Sequence, residues 1–323
     1  MKIILVILTI SASFVFLPPN GYSQSISDSI TASIKDSTIG KSDSSSNQTD
    51  RLLVADKVNR KSYFLLGINY INDNVYLGRK DSTAINYYTP TVAYYHKSGF
   101  YAQFSMGYLL NSFESRVDLF TFEAGYEFIK GNYDGAFSAT KFFYNSQSTN
   151  VNAEIKSSLS YSNGYDFGLI RPSLEGTLNL GSKADIAVGF GTEHSFDAFD
   201  EALEIIPKIL VNAGTQNFYN DYYRKRRYTI KRKGQKPTPG VAAIVGEVVD
   251  PNKFKVLDYE ASMELNYTVG KWTFNFLPTY AIPVNPSTIN IAATLQNGTV
   301  IKRTKTEELS NTFYWNLGFT VKL

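Results

Sequence analysis

The chain has 323 residues, of which 43% are hydrophobic and 15% aromatic, and its formal net charge at pH 7 is +3. It contains no cysteine, which excludes disulfides, a cysteine-based zinc site and a cysteine nucleophile. The length exceeds the ~100–200 residues usual for one domain, but large β-barrels reach this size as a single unit, so length alone does not imply two domains.

Residues 1–23 have the features of a secretory signal peptide. Lys2 is followed by an apolar run that ends at Pro18-Pro19, and small residues precede an expected cleavage site after Ser23 or one residue later. Residues 24–60 are rich in Ser, Thr, Asp and Lys. Such a composition buries too little apolar area to offset the entropy of ordering the chain, so we predict a flexible periplasmic tail.

The remaining residues, 61–323, form a series of segments in which apolar and polar side chains alternate. In the last segment every second residue from 313 to 323 is apolar. A period of two is what a strand with two chemically different faces requires, and no segment after Arg60 approaches the ~20 apolar residues of a transmembrane helix. The pattern predicts twelve strands, near residues 62–77, 86–96, 100–110, 116–129, 133–144, 150–161, 165–180, 184–195, 203–215, 253–269, 271–283 and 310–323.

The connections between these strands differ in length in a regular way. Those after odd-numbered strands include the longest, at residues 217–252 and 284–309. Short turns and long loops at opposite rims are typical of a bacterial outer-membrane barrel whose termini are periplasmic and whose long loops are extracellular. We therefore predict an all-β fold, a transmembrane antiparallel up-and-down β-barrel of about twelve strands. The predicted tight turns are Lys97-Ser98-Gly99, Lys130-Gly131-Asn132, Ser162-Asn163-Gly164 and Gly270.

A secreted soluble β-sandwich is the competing fold, because its strands also alternate. The apolar face of a sandwich should be filled by branched aliphatic residues, whereas here aromatic residues concentrate towards strand ends. Aromatic girdles at two membrane interfaces account for that distribution, and charge on the polar faces suits a wet barrel lumen. The aromatic residues in question are Phe100, Phe128, Phe142, Tyr144, Tyr161, Tyr267, Trp272 and Tyr280.

Several of these features resemble one known family. The export signal ending Tyr22-Ser23-Gln24, the twelve alternating segments, the final aromatic strand, and the segments GTQNFY at 214–219 and FLPTYAIPVNP at 276–286 resemble the porin-like β-barrel proteins of the Bacteroidota outer membrane. The resemblance covers residue 61 to the end and implies an outer-membrane location and insertion by the barrel assembly machinery. Leu323 is a departure, because such barrels often end in Phe as an assembly signal.

Charged residues are predicted on the inner faces of the strands. If Phe120 and Phe122 of the fourth strand point to lipid, then Glu123 and Glu127 point into the lumen. Two interpretations stay open: the charges pair across the lumen and stabilise it, or they line a narrow aqueous path whose acidic stretch favours cations. The other residues predicted to face inward are Lys141, Glu154, Lys156, Arg171, Glu175, Asp185, Glu193, Lys208 and the acidic stretch Asp258, Glu260 and Glu264.

A basic run occupies residues 224–236 of the first long loop. Without its eight cations and Lys2, the mature chain carries a net charge of −6. An exported barrel does not meet nucleic acid as its usual partner, so the run is predicted to contact lipopolysaccharide phosphates, to fold into the mouth as a constriction, or to be a solvated loop. Downstream, the apolar residues 241–249 predict a small hairpin. The eight cations are Arg224, Lys225, Arg226, Arg227, Lys231, Arg232, Lys233 and Lys236.

The search for catalytic motifs gives little. The two histidines, His96 and His194, each end an even-numbered strand, and the chain has neither a Gly-x-Ser-x-Gly elbow nor a His-Glu-x-x-His motif. No enzyme activity, metal or cofactor is therefore predicted. We predict a porin-like passive channel for small solutes or ions in the outer membrane. The alternatives are a closed structural or surface-interaction barrel without conduction and, less favoured, a lipid hydrolase.

Overall fold

The structure, a computed structural model, describes residues 61–81, 84–110, 115–225 and 241–323. The predictions for residues 1–60, the signal peptide and the tail, lie outside the described residues. Twelve long strands form one antiparallel sheet. They are β1 (Tyr63–Ile71), β4 (Asn86–Tyr95), β5 (Phe100–Leu110), β6 (Arg116–Lys130), β7 (Tyr133–Tyr144), β8 (Ser157–Tyr165), β9 (Arg171–Leu180), β10 (Ala184–Glu193), β12 (Leu203–Gly214), β14 (Lys255–Val269), β15 (Trp272–Pro283) and β18 (Thr312–Lys322).

This sheet closes on itself. Each long strand pairs antiparallel with the preceding and following long strand of the chain, including β10 with β12, and β1 pairs with β18, where Leu65 lies opposite Lys322. Closure leaves no barrel strand with an open edge, so every strand can cross an apolar medium with its backbone groups paired. The prediction of an all-β, up-and-down antiparallel barrel of twelve strands is confirmed.

Nine predicted strands lie within two residues of the observed ones, and three are wrong in position. The first ends at Ile71, because the chain then turns into a short hairpin of β2 (Val75–Tyr76) and β3 (Arg79–Lys80). The strand predicted at 150–161 begins only at Ser157, and Val151 and Ile155 pack as buried residues of a turn. The strand predicted at 165–180 begins at Arg171.

The tight turn predicted at Ser162-Asn163-Gly164 is also wrong, because these residues lie inside β8 and the chain reverses at 166–170. Gly164 has a different purpose there. A Cβ at this position would lie 2.4 Å from the Cζ atom of Arg171, so the missing side chain lets the guanidinium lie against the β8 backbone. The glycine marks a close approach and not a chain reversal.

The two rims of the barrel differ. The short-turn rim carries the connections 96–99, 131–132, 166–170, 194–202 and 270–271, with β11 (Phe196–Ala198) in one of them, and both ends of the barrel sheet. The long-loop rim carries connections at 72–85, 111–115, 145–156, 181–183, 215–254 and 284–311. These last two contain α1 (Asn217–Lys225), β13 (Val241–Val248), β16 (Thr288–Leu295) and β17 (Val300–Thr306).

The long-loop elements differ from the sequence prediction. Residues 241–249 do form a strand, but β13 pairs with β16 of the other long loop instead of closing a local hairpin, and β16 pairs with β17. The helix α1 was not predicted. Within the described parts of the chain, none of the helices has the length and apolarity needed to cross a membrane.

The outer surface of the barrel is apolar. Neighbouring rings form stacks along it, such as Phe104 with Phe120 at 5.9 Å and Trp272 with Phe319 at 5.1 Å between centroids. Soluble proteins rarely expose apolar area around the whole outer face of a barrel, and such a surface fits contact with lipid. The exposed outward residues include Phe64, Leu66, Ile68, Phe100, Phe122, Phe137, Leu159, Ile186, Phe190, Ile209, Met263, Phe274 and Leu317.

Candidate functional site

The long-loop rim carries a cap, which we define as residues 72–81, 145–156, 215–225, 241–254 and 284–311. The cap has its own apolar core, drawn from α1, β13, β16 and the connection between β7 and β8. Fully burying one such side chain stabilises a structure by roughly 1.5–3 kcal/mol, so the core holds the loops together firmly. Its members are Val151, Ile155, Phe218, Tyr219, Tyr222, Val248 and Ile289.

The hairpin β2–β3 carries the cap across the lumen. It follows β1, and five barrel strands separate β1 from β9 in either direction, so these two strands lie on opposite walls. The side-chain amide of Asn179 on β9 nevertheless donates a hydrogen bond to the hydroxyl of Tyr76 on β2. The Tyr76 ring packs edge-on against Phe218 of α1, with 4.9 Å between the centroids. The hairpin therefore spans the mouth from wall to wall.

Arg79 links the hairpin to β14 and to the loop 284–311. Its guanidinium donates to the carbonyl oxygens of Leu257 at 2.7 Å and Val284 at 3.0 Å, and it lies 3.4 Å from a carboxylate oxygen of Glu307. Arg79 is 1% exposed. A buried guanidinium is tolerated when most of its donors are engaged, as the two terminal nitrogens are here, and removing it would deprive the buried Glu307 of this cation.

The base of the hairpin holds a buried carboxylate. Asp73 accepts a hydrogen bond from the backbone N–H of Ile85 at 2.8 Å, and the ammonium of Lys80 lies 3.8 Å away. Burial raises the pKa of Asp73 to about 6, against the lowering effects of that backbone bond and of Lys80. The same burial lowers the pKa of Lys80.

Asp185 anchors α1 to the barrel wall. This inward residue of β10 accepts hydrogen bonds from the backbone N–H groups of Asn217 and Phe218, both at 2.7 Å, and from the hydroxyl of Thr215 at 2.6 Å. The first-turn N–H groups of a helix lack partners within the helix and carry partial positive charge, so a carboxylate is a favourable cap. One predicted lumen acid thus serves to hold the cap.

Charged side chains line the lumen below the cap, and some of them are paired. Arg171 contacts the carboxylates of Asp134 and Glu193, and Lys208 contacts Glu175 at 2.6 Å. On the described strands acidic groups outnumber basic ones, so the lumen wall is net negative. Besides Asp185 and Asp258, which lie under the cap, the inward carboxylates are Glu123, Glu127, Asp134, Glu175, Glu193, Glu204, Glu260 and Glu264, and the inward cations below the cap are Arg171, Lys208 and Lys322.

The predicted inward acids have distinct surroundings. Glu123 is buried and accepts hydrogen bonds from the hydroxyls of Tyr101 at 2.6 Å and Thr140 at 3.0 Å. Glu127 is buried four residues further along the same face of β6. On the wall formed by β14, Asp258 is fully buried under the hairpin turn, where a Cβ on Gly78 would lie 2.9 Å from it. Glu260 is buried, and Glu264 accepts from the amide of Asn275 at 2.8 Å.

The inward prediction for Lys141 is wrong. Lys141 lies directly opposite Phe122 in the β6–β7 register, and directly opposed residues share a face of the sheet. Phe122 is exposed on the outer surface, and the Lys141 ammonium lies 5.9 Å from the ring centroid of the outward Phe143. The parity was ambiguous because β7 carries aromatic residues on both faces, with Phe142 packed against the cap core.

Two further inward predictions also differ from the structure. Glu154 lies in the turn at 151–154, and Lys156 is an exposed residue just before β8. Of the basic run, Arg224 is exposed near the end of α1, and the backbone of Lys225 ends that helix. Arg226, Arg227, Lys231, Arg232, Lys233 and Lys236 lie outside the described residues, so the proposed constriction and lipopolysaccharide contact stay predictions.

Sequence reasoning missed the hairpin and α1. A signal for the helix was present, because Phe218, Tyr219, Tyr222 and Tyr223 recur at the spacing of one helix face. Nothing local marks Tyr76, whose partner Asn179 is 103 residues away. The sequence extends the predicted first strand to residue 77, because Val75 and Tyr76 add apolar residues beyond its observed end at Ile71.

Both histidines lie at the short-turn rim, away from the cap. His96 lies exposed at the short-turn rim with its Nδ1 atom 2.7 Å from the Ser98 hydroxyl, and His194 packs edge-on against Phe196 at the same rim. Over the stretches that the structure describes, no group of three or more His, Asp or Glu side chains is arranged to hold a metal ion.

No protein-family model and no curated protein sequence matches the chain. Among solved structures it is similar to a bacterial polysaccharide outer-membrane secretin, with 11% identity over 82% of this chain and 99% of the other and a TM-score of 0.34. It is also similar to the translocator domain of the autotransporter NalP from Neisseria meningitidis, with 12% identity over 85% of this chain and 95% of the other and a TM-score of 0.30. For Salmonella typhi OmpF, in complex with daunomycin, the identity is 7% over 81% of this chain and 97% of the other, and the TM-score is 0.29. All three TM-scores are below 0.5, so these likenesses do not indicate a function. Membership of the Bacteroidota family stays a prediction.

Proposed function

We propose that the protein is an integral outer-membrane β-barrel that acts as a capped, cation-preferring channel, in which small ions pass only when the cap moves. The single observation that carries this proposal is the hairpin whose Tyr76 reaches Asn179 across the lumen. The apolar outer face, the closed sheet and the predicted export signal support the location. Both ends of the sheet lie at the short-turn rim, which we assign to the periplasm.

The preference for cations follows from the lumen wall. Lys208 and Arg171 contact carboxylates of the wall, and on the β12–β14 wall Glu204 and Glu264 accept hydrogen bonds from the side-chain amides of Asn266 and Asn275. A confined passage with low-dielectric walls and an acidic excess concentrates cations and repels anions. The proposal assigns no catalysis to His96 or His194, and it takes lipid as the partner of the outer face and lipopolysaccharide phosphate as the partner of the run 224–236.

A second candidate is a permanently closed barrel with a structural or surface-interaction role. The observation that favours it is the packed core of the cap, in which Val151 is 0% and Phe218 2% exposed. A core of this kind resists opening, because separating it exposes apolar area to water. The two candidates agree on the closed state and differ in whether the lumen below the cap conducts when the cap is removed.

Planar-bilayer recording separates them. The wild-type protein is expected to give rare, short openings, and the double variant Tyr76→Ala/Phe218→Ala a steady current with a reversal potential that indicates cation selectivity in a KCl gradient. The same variant with Glu260→Gln and Glu264→Gln added should conduct with reduced selectivity. Retention of the heat-modifiable gel mobility of folded barrels controls for misfolding. A correctly folded double variant that carries no current would reject the channel and leave the closed barrel.

A further inference from the structure

The strand β17 is the exposed edge of the small sheet β13–β16–β17, which is part of the cap. In the described part of the chain the order of this sheet is β13–β16–β17, so β17 pairs on one side only. All seven residues of β17 are exposed, on both faces of the strand. Unpaired backbone N–H and C=O groups along such an edge form a template to which another extended chain can add.

The sheet that carries this edge is anchored to the rest of the cap by β16 and by the residues next to β16 and β17. Ile289 of β16 is buried in the cap core. At the base of the sheet the N–H of Ser287 donates to the carboxylate of Glu307 at 2.8 Å, and the N–H of Glu307 donates to the carbonyl of Ser287, also at 2.8 Å. A strand that is already ordered loses little conformational entropy on binding, so more of the interaction energy appears as affinity.

The side chains of β17 define what the edge can accept. Val300 and Ile301 are 51% and 44% exposed at one end, Lys302 and Arg303 are exposed in the middle, and Lys305 is exposed but paired with Glu308 at 2.7 Å. Alternation puts Lys302 on one face and Arg303 with Lys305 on the other. Pairing of two copies through this edge would bring like charges together, which is unfavourable, whereas acidic residues directly opposite are favourable. The edge therefore suits an extended segment that is acidic over most of its length.

We propose that β17 is a docking edge for an extended acidic peptide segment of a partner protein, which adds to the β13–β16–β17 sheet as a fourth strand. Backbone hydrogen bonds supply the pairing. Carboxylates of the partner meet Lys302 and Arg303, and its apolar end meets Val300 and Ile301. The site is independent of conduction through the barrel, and it differs from a lipopolysaccharide site because phosphate groups cannot complete a strand ladder.

Two matched peptides test the pairing. Each is a fluorescently labelled seven-residue peptide of Val, Ile, Thr and Glu, and the second carries N-methyl groups on alternate amides so that it keeps its charge but loses one edge of donors. Fluorescence anisotropy is measured with the full-length protein in nanodiscs. The unmodified peptide should bind saturably. The N-methylated peptide should bind at least about tenfold more weakly. Equal binding of the two, or complete displacement of the peptide by lipopolysaccharide, would overturn the proposal.

Charge-swap variants test the recognition. The double variant Lys302→Glu/Arg303→Glu should bind the acidic peptide about tenfold more weakly and should bind a peptide with Lys in place of Glu more tightly than the wild type does. Lys156→Gln, which neutralises an exposed cation of the same rim outside β17, should leave the affinity unchanged. Unchanged affinity of the double variant, or an equal loss in Lys156→Gln, would reject β17 as the site.

Discussion

Asn179 on β9 donates a hydrogen bond to the hydroxyl of Tyr76, which lies on a hairpin that starts from β1 at the opposite wall of the barrel. One polar contact thus joins two walls of the lumen, and the Tyr76 ring ties it to Phe218 and the cap core. The element that crosses the mouth is therefore a packed hairpin with defined contacts on both walls.

The first prediction concerns Tyr76 itself. Tyr76→Ala removes a partly buried ring from the contact with Phe218, so its cost should be below the about 3 kcal/mol typical of a fully buried aromatic side chain. Amides of residues 72–81 and 217–225 should then exchange with deuterium much faster, while barrel-strand amides stay protected. Tyr76→Phe keeps the ring and should show only the smaller effect of the lost hydroxyl. Equal protection in wild type and Tyr76→Ala would mean that the hairpin does not hold the cap.

The second prediction concerns the helix cap. Asp185→Ala removes the acceptor for the N–H groups of Asn217 and Phe218. Hydrogen bonds to a charged group are worth about 1.5–3 kcal/mol, so α1 should open locally and its exchange should accelerate by at least about tenfold. Asp185→Asn keeps an acceptor without the charge, so its α1 exchange rate should lie between those of the wild type and Asp185→Ala. If α1 keeps wild-type protection in Asp185→Ala, the carboxylate is not its anchor.

The third prediction concerns the ion triad of the lumen. Arg171→Gln leaves Asp134 and Glu193 without their shared cation, and half-buried carboxylates that lose a partner are destabilising. The urea midpoint of unfolding in detergent should fall. Adding Asp134→Asn and Glu193→Gln should recover most of the loss, because no unpaired charge then remains. A triple variant that is less stable than Arg171→Gln would contradict this account.

A related prediction uses Gly164. Gly164→Ala places a methyl group where the Arg171 guanidinium lies, 2.4 Å from its Cζ atom. The side chain must shift away from Asp134 and Glu193, so we expect a lowered urea midpoint without any change of charge. Gly176→Ala on the neighbouring strand is the matched control, because an added Cβ there meets nothing within 4 Å. Similar midpoints in the two variants would show that Arg171 does not need the glycine.

The cap should also respond to pH through Asp73. Burial raises its pKa from 3.8 to about 6, so the closed cap binds a proton more tightly than the opened cap. The stability of the closed cap is therefore greatest below pH 3.8, falls as the pH rises from there to about 6, and is level above. Lys80, at 3.8 Å, lessens the fall without removing it.

Hydrogen exchange of the Ile85 amide, corrected for the intrinsic rate, measures this effect because that amide donates to Asp73. Protection in the wild type should be lower at pH 7 than at pH 4.5. Asp73→Asn, which cannot ionise, should give the same protection at both. A pH dependence that persists unchanged in Asp73→Asn would place its origin elsewhere.

The sequence predicts the barrel well because its strands obey one local rule. Wherever one parity holds all the aromatic residues, as with Phe120, Phe122 and Tyr126 of β6, the faces follow directly and Glu123 with Glu127 lie inside. The rule fails where aromatic residues occupy both faces, which misplaced Lys141. It also fails where an apolar alternation runs on through a turn, as at Val151 and Ile155.

The cap was beyond local rules. The partner of Tyr76 lies on β9, and the helix α1 depends on a carboxylate of β10 and on aromatic packing rather than on strong helix formers. Such an element is specified by tertiary contacts, which no short window of sequence contains. The strand at 241–249 shows the same limit, since its apolarity indicated a strand but its partner β16 belongs to another loop.

The central claim, a lumen closed at the long-loop rim by the hairpin, is tested most directly by thiol labelling. The chain has no cysteine, so single variants report one position each. Intact cells that lack general porins are treated with a membrane-impermeant thiol reagent. The positions compared are Lys302→Cys on β17, Ser262→Cys in the lumen and Lys97→Cys at the short-turn rim, whose labelling would reveal reagent that reached the periplasm.

We predict that Lys302→Cys is labelled while Ser262→Cys and Lys97→Cys are not, and that adding Tyr76→Ala makes Ser262→Cys reactive. Labelling of Ser262→Cys as fast as Lys302→Cys in a protein with an intact hairpin, while Lys97→Cys stays unlabelled, would contradict the account.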